Sequence, residues 1–229
     1  MKRLILVVSI GIFMGGCASE PATNMVVTGQ VKGLKKGTLY LQKITDSKLV
    51  ALDSTTVDEN GYYTLNGQVD SPELYYLYLT KEDHNDINDR IVFFGEPGTI
   101  TINTKWDTFD AHPDISGSPT TEKLLEYRKT MSRFHARELE IAQMGTRDSI
   151  PLDSLQKLID SNTKRQYAFA LNYALNHVNS TIAPYIAVYE VPESNPVYLD
   201  SIYKSLTPEI VTSTYGMELK KLIGELTDQ

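Results

Sequence analysis

The chain has 229 residues, a formal net charge of −7 and 41% hydrophobic residues. That apolar content supports a core and excludes intrinsic disorder, while the length allows one large domain or two small ones. A negative chain with no Lys/Arg cluster is a poor nucleic-acid ligand, because phosphate contacts dominate that affinity.

The chain opens Met1-Lys2-Arg3, followed by an apolar run from Leu4 to Phe13 that only Ser9 and Gly11 interrupt. A charged start and an apolar stretch of about ten residues are the n- and h-regions of a signal peptide. The run is too short for a membrane-spanning helix, which needs roughly 20 apolar residues. It ends in Met14-Gly15-Gly16-Cys17. Small residues before a cysteine are what a lipoprotein signal peptidase reads, so residues 1–16 are expected to be removed and Cys17 lipidated. Met14 and Gly15 make this a looser form of the pattern, which more often carries Leu, then Ala or Ser. Residues 17–24 then form a short polar tether. Loss of Lys2 and Arg3 with the leader makes the charge two units more negative. Neither Ala18 nor Ser19 is the aspartate that retains lipoproteins at the inner membrane. The expected location is therefore the outer membrane of a cell envelope, with the periplasmic and surface faces both open. Acyl chains contribute about 0.8 kcal/mol per buried CH₂, so two or more chains hold a protein stably on a membrane.

Cys17 is the only cysteine. Once it is acylated, the chain has no disulfide, thiolate nucleophile, cysteine metal site or C-x-x-C redox pair.

From residue 25 to 118 the chain consists of short β-prone runs between Gly, Pro, Asn and Asp. The predicted strands are 26–31, 37–43, 49–57, 61–69, 74–80, 91–94, 99–104 and 112–116. Short, evenly spaced strands predict an antiparallel β-sandwich-like domain. Asp58-Glu59-Asn60-Gly61 reads as a hairpin turn because Asn-Gly tolerates positive φ. Glu96-Pro97-Gly98 reads as a second, with Pro fixing φ and Gly allowing the reversal.

From residue 119 to 229 the apolar period becomes helical. Ser118-Pro119 is a helix cap followed by proline at the first helical position. Leu124, Tyr127, Met131, Phe134 and Ile141 form one stripe, broken by Glu138. A second helix begins at Pro151 or Asp153. Leu155, Ile159, Phe169 and Tyr173 line one of its faces, and Ala168, Leu171, Leu175 and Val178 the adjacent one. Apolar residues on two faces predict a well-buried helix. Shorter helices are predicted over 181–189, 196–206 and 208–226, the last opening Thr207-Pro208-Glu209. The fold class is therefore α+β, a sandwich-like domain followed by a helical region.

No catalytic residues, metal ligands or cofactor are assigned. Asp53-Ser54 lacks a partnered base and an oxyanion motif, both of which a nucleophilic serine needs. Its expected role is bonding to backbone. Glu82, Asp83, Asp86 and Asp89 surround His84, but the D-x-D-x-D-G order of a calcium loop is missing, so a solvated hairpin loop is expected. His135 has no second histidine at helical spacing. His177 sits near a helix C-terminus, where a protonated imidazole is favourable.

Tyrosine is the compositional oddity, at fourteen residues. Alternation places Tyr76 and Tyr78 on one face with Leu74, and Tyr75 on the other with Leu77 and Leu79. If the Tyr76 face is exposed it is an aromatic platform for a glycan or partner protein. If helices cover it, it is core with hydroxyls reaching polar neighbours.

Five blocks also carry a family resemblance: Val27-Thr28-Gly29-Gln30-Val31-Lys32-Gly33-Leu34; Gly37-Thr38-Leu39-Tyr40-Leu41; Leu52-Asp53-Ser54-Thr55 with Val57-Asp58-Glu59-Asn60-Gly61-Tyr62-Tyr63; Phe94-Gly95-Glu96-Pro97-Gly98-Thr99-Ile100; and Ile115-Ser116-Gly117-Ser118. In order and spacing they resemble the N-terminal domain of unknown function of Bacteroidota lipoproteins that carry a C-terminal thioredoxin-like (AhpC/TSA, TlpA-type) domain. The helical stretch is also similar, with Leu206-Thr207-Pro208-Glu209 and Ser213-Thr214-Tyr215-Gly216. The resemblance implies the accessory fold. Without a C-x-x-C, the family's redox chemistry is not expected. What remains is a non-catalytic envelope lipoprotein that binds protein, with an envelope thioredoxin-like protein as one expected partner. The alternative is a glycan- or peptide-binding lipoprotein using Tyr76 and Tyr78.

Overall fold

Period-two alternation builds the first half of the molecule. The computed structural model describes residues 23–81, 89–147 and 150–227. The leader, Cys17 and the carboxylates at Glu82, Asp83 and Asp86 lie outside them. Eight strands form where the sequence predicts them: β1 (Met25–Lys32), β2 (Gly37–Thr45), β3 (Lys48–Val57), β4 (Tyr62–Gly67), β5 (Glu73–Lys81), β6 (Asp89–Gly95), β7 (Gly98–Lys105) and β8 (Asp114–Ser116). They make two four-stranded sheets, ordered β4-β1-β7-β8 and β3-β2-β5-β6. Val27, Leu39, Leu41, Leu65, Leu77, Phe93, Ile100 and Ile102 fill the space between the sheets.

Two expectations need correction. One pair, β1 with β7, runs parallel, with Met25 opposite Gly98. A parallel neighbour needs a long crossover, and the passage through the second sheet supplies it. The turns at 58–61 and 96–98 form, but neither closes a hairpin. Each carries the chain from one sheet to the other, since β3 and β6 lie in one sheet and β4 and β7 in the other. Turn chemistry fixes a local reversal and not the edge the next strand meets. At the first corner the Gly61 N–H donates to the Asp58 carbonyl at 3.0 Å. Gly61 has φ +74°, and a Cβ there would collide with the Val31 carbonyl.

Six helices follow: α1 (Pro119–Arg147), α2 (Leu152–Asn176), α3 (Ile182–Tyr189), α4 (Pro196–Ser205), α5 (Pro208–Val211) and α6 (Thr214–Thr227). Ser118 caps α1 as the sequence predicts, its Oγ accepting the Thr121 N–H at 3.1 Å. The same Oγ donates to the Phe94 carbonyl at 2.9 Å, and the Phe94 N–H donates to Thr121 Oγ1 at 2.8 Å. The start of α1 is thereby fixed to the end of β6. Leu124, Tyr127, Met131 and Ile141 are buried, Phe134 is half-buried, and Glu138 is exposed.

The predicted helix over 208–226 is two helices. Ser213 interrupts it and caps α6, its Oγ accepting the Gly216 N–H at 3.1 Å. A serine oxygen competes well for such N–H groups. The burial expected for α2 holds on one side only. Ala170, Tyr173 and Ala174 are buried, whereas Ala168 is exposed and Ile159 and Leu175 are about two-fifths exposed. On the second face Leu171 and Val178 pack half-buried against the helical core, while Ala168 and Leu175 border a groove shared with Glu193 and Tyr198. None of the described helices is long and apolar enough to cross a membrane.

The helical core is built on Leu124, Tyr127, Ile186, Leu199, Ile202 and Leu219, and one strand residue, Phe94, belongs to it. Phe94 therefore joins the helical layer to the outer face of the β3-β2-β5-β6 sheet.

Candidate tyrosine-lined binding site

Alternation along β5 orients the tyrosines as predicted. Tyr75, Leu77 and Leu79 face the sandwich interior and are buried, while Leu74, Tyr76 and Tyr78 are half-buried. The helices cover only part of this outer face. Phe94 lies beneath Tyr185 and Tyr215, its ring edge-on to both at centroid distances of 5.4 and 6.0 Å. Leu74 packs on the same core. Tyr76 stands where this cover ends, and Tyr78 lies beyond it. Among the described residues, the helices thus cover the Leu74 end of this face and not the Tyr78 end, where Tyr76 and Tyr78 are half-buried.

Cross-strand register brings Tyr40 opposite Tyr78 and Gln42 opposite Tyr76. The Tyr40 and Tyr78 rings stack at 5.9 Å with an interplanar angle of 30°. The Arg90 guanidinium lies 5.0 Å from the Tyr78 ring centroid. At the other end of β2, toward the cleft, Ile44 is 55% exposed.

At the edge of the helical cover a cleft of 300 Å³ opens between sheet and helices. The β2–β3 turn supplies Asp46 and Ser47, β5 supplies Glu73 and Tyr76, and the helices supply Tyr189, Tyr215 and Glu218. Tyr189 and Tyr215 meet almost at right angles, 87°, with centroids 5.8 Å apart. The Tyr189 hydroxyl donates to Glu218 Oε2 at 2.9 Å. The Tyr215 hydroxyl accepts the Leu74 N–H at 3.0 Å. Lys43 pairs with Glu73 at 2.9 Å from just outside the cleft.

Both cleft phenols stay neutral at physiological pH. Desolvation, then the hydrogen bond and charge of Glu218, push the Tyr189 hydroxyl up to about 12. Burial raises Tyr215, partly opposed by the Leu74 N–H, which favours the phenolate.

Sequence reasoning found Tyr76 and missed the residues that complete its surroundings. Tyr189, Tyr215 and Glu218 lie more than a hundred positions away, and only the high tyrosine count hinted at them.

The other candidates fall as follows. Asp53 bonds backbone, accepting the Ser54 N–H at 2.8 Å and the Asn66 N–H at 2.7 Å. It sits within β3 beside a bulge and laces that strand to β4 of the other sheet. His177 caps the end of α2, with Nδ1 2.8 Å from the Tyr173 carbonyl and its ring stacked on Tyr173. His135 is exposed on α1. Among the described residues, no group of three or more His, Cys, Asp or Glu is placed to hold a metal ion.

Comparison with known proteins fits this division of the chain. Residues 25–124, the sandwich and the first turns of α1, match the family model of a domain of unknown function (DUF4369). No curated protein matches the chain. Among solved structures, a 9R-lipoxygenase from Cyanothece PCC8801 aligns with 14% identity over 83% of this chain and 28% of its own, at a TM-score of 0.24. A likeness that weak carries no argument about fold or activity.

Proposed function

We propose that the protein is a non-catalytic, lipid-anchored binding module of the cell envelope, which holds another protein at the tyrosine-lined junction of its sandwich and helical layer. The observation that carries this reading is the incomplete cover of the outer sheet face. The described helices stop at Tyr76 and leave a walled cleft rimmed by the 55% exposed Ile44, with the half-buried Tyr40 and Tyr78 beyond it. Tyrosine suits such a surface, because it supplies contact area at low entropic cost together with a polar tip.

The anchor is the diacylated Cys17, and the expected location is the outer membrane. The preferred partner is an envelope thioredoxin-like protein acting in trans, since the resembled lipoproteins carry that domain on the same chain. Crosslinking the tagged lipoprotein in intact cells tests this reading. A discrete envelope partner should be recovered with the native protein and lost from Tyr76→Ala. Recovery of the lipoprotein alone overturns it.

A second reading rests on the stacked Tyr40–Tyr78 pair and the Arg90 guanidinium beside it. The two phenol hydroxyls and the guanidinium supply hydrogen-bonding groups for a sugar, and glycan capture would use Tyr78 in place of Tyr76. Loss of glycan binding in Tyr78→Ala with Tyr76→Ala unaffected would favour it.

A further inference from the structure

We infer that the junction cleft takes a cationic ammonium group, such as a lysine side chain presented by the bound partner. This deepens the proposed function and rests on the junction being the recognition surface.

The walls of the cleft select charge. Tyr76 on the sheet side and Tyr189 and Tyr215 on the helix side, the last two packed edge to face, give the space aromatic walls on more than one side. The face of an aromatic ring carries negative potential and attracts a cation within about 6 Å. Three carboxylates, Asp46, Glu73 and Glu218, line the same space, and no basic side chain does among the described residues. Lys43 neutralises Glu73, and among the described residues no cation pairs with Asp46 or Glu218. The Tyr189 hydroxyl occupies one oxygen of Glu218 and holds that carboxylate against the ring wall.

The opposite charge is disfavoured. Helix α6 begins at the cleft, and a helix N-terminus attracts anions. This one is already capped, because the Gly216 N–H donates to Ser213 Oγ at 3.1 Å and the Thr214 N–H to Ser71 Oγ at 3.4 Å. The volume of 300 Å³ lies at the lower end of ligand pockets, roughly 300–1,000 Å³. That suits one side chain or small headgroup and excludes an extended glycan or acyl chain.

The test uses the mature lipoprotein in detergent, titrated with choline, with Nα-acetyl-lysinamide, and with 3,3-dimethylbutan-1-ol, a neutral isostere of choline. Binding is followed by NMR of the labelled tyrosine rings. Both cations are expected to shift Tyr189 and Tyr215, and the neutral isostere to bind about tenfold more weakly, the discrimination expected of a partly desolvated cation site. Glu218→Gln should weaken both cations by about tenfold at an unchanged melting temperature. Tyr62→Leu, on an exposed strand position of the other sheet, should change nothing. Equal binding of choline and its isostere overturns the inference, as does Glu218→Gln with native affinity. If Glu218→Gln retains the crosslinked partner that Tyr76→Ala loses, the junction is the recognition surface and the cation inference alone fails. If Tyr76→Ala also retains the partner, the proposed function fails.

Discussion

Phe94→Ala tests whether sandwich and helices form one folding unit. Phe94 is fully buried on the outer face of β6 and sits edge-on to Tyr185 and Tyr215. Truncating a buried phenylalanine costs about 3–5 kcal/mol through lost transfer energy and the cavity left behind. The two ring contacts place this site in the upper part of that range, since each such pair adds about 0.5–1.5 kcal/mol. With a urea m-value of about 2 kcal/mol/M, a loss of about 4 kcal/mol lowers the midpoint by about 2 M. Two probes separate the layers. Trp106, the only tryptophan, lies between the sandwich strands β7 and β8, while circular dichroism at 222 nm reports mainly the helices. Both transitions should coincide in the native protein and shift together in the variant. A shift in the dichroism alone, with Trp106 unchanged, would refute the shared core.

Four other outcomes follow from the same contacts. Tyr75→Ala, inside the sandwich, should cost about 3–5 kcal/mol, and the half-buried Tyr76→Ala about 1–2 kcal/mol, measured by urea unfolding; equal costs would make Tyr76 an ordinary core residue. Ser118→Ala removes the α1 cap and its bond to Phe94 and should lower stability by about 1–2 kcal/mol, an effect that Ser118→Thr should largely restore. The contribution of Tyr63, Tyr127 and Tyr215 to stability should be constant up to pH of about 10 and fall as pH rises beyond it, because they stay protonated when folded but ionise near 10 when unfolded; a urea midpoint at pH of about 11 equal to that at about 9 would contradict their burial. Glu218→Gln should bring the Tyr189 titration down from about 12, since the carboxylate helps to hold it there, and NMR of the ring would follow it.

Most strands were legible because they bury one face, so alternation marks them directly, while β3, where only Val57 is buried, was readable only as a β-prone run. Their partners were not. Nothing in Val27 or Ile100 says that β1 and β7 lie side by side and parallel. The glycine-bearing corners at Gly61 and Gly98 look like hairpins, while the observed β2–β3 reversal uses Asp46 and Ser47, both with positive φ and neither a glycine. On the helical side, Ser118 was readable as a cap because its signal is local. Ser213 escaped notice within an otherwise continuous helical period. The second apolar face of α2 is covered at Leu171 and Val178 and left exposed at Ala168 and Leu175, a split that the apolar period alone does not mark. The site shows the same limit. Tyr76 could be placed on a face by counting, but whether helices would cover it depended on where Phe94, Tyr185 and Tyr215 meet, which no local pattern records.

The central claim is that the open end of this tyrosine face is where a partner sits. A photo-crosslinking amino acid placed at position 76 in living cells tests it most directly, with position 62 on the other sheet as control. The account predicts a discrete envelope adduct from position 76 and none from position 62. Adducts from position 62 alone, or from neither site, would contradict it.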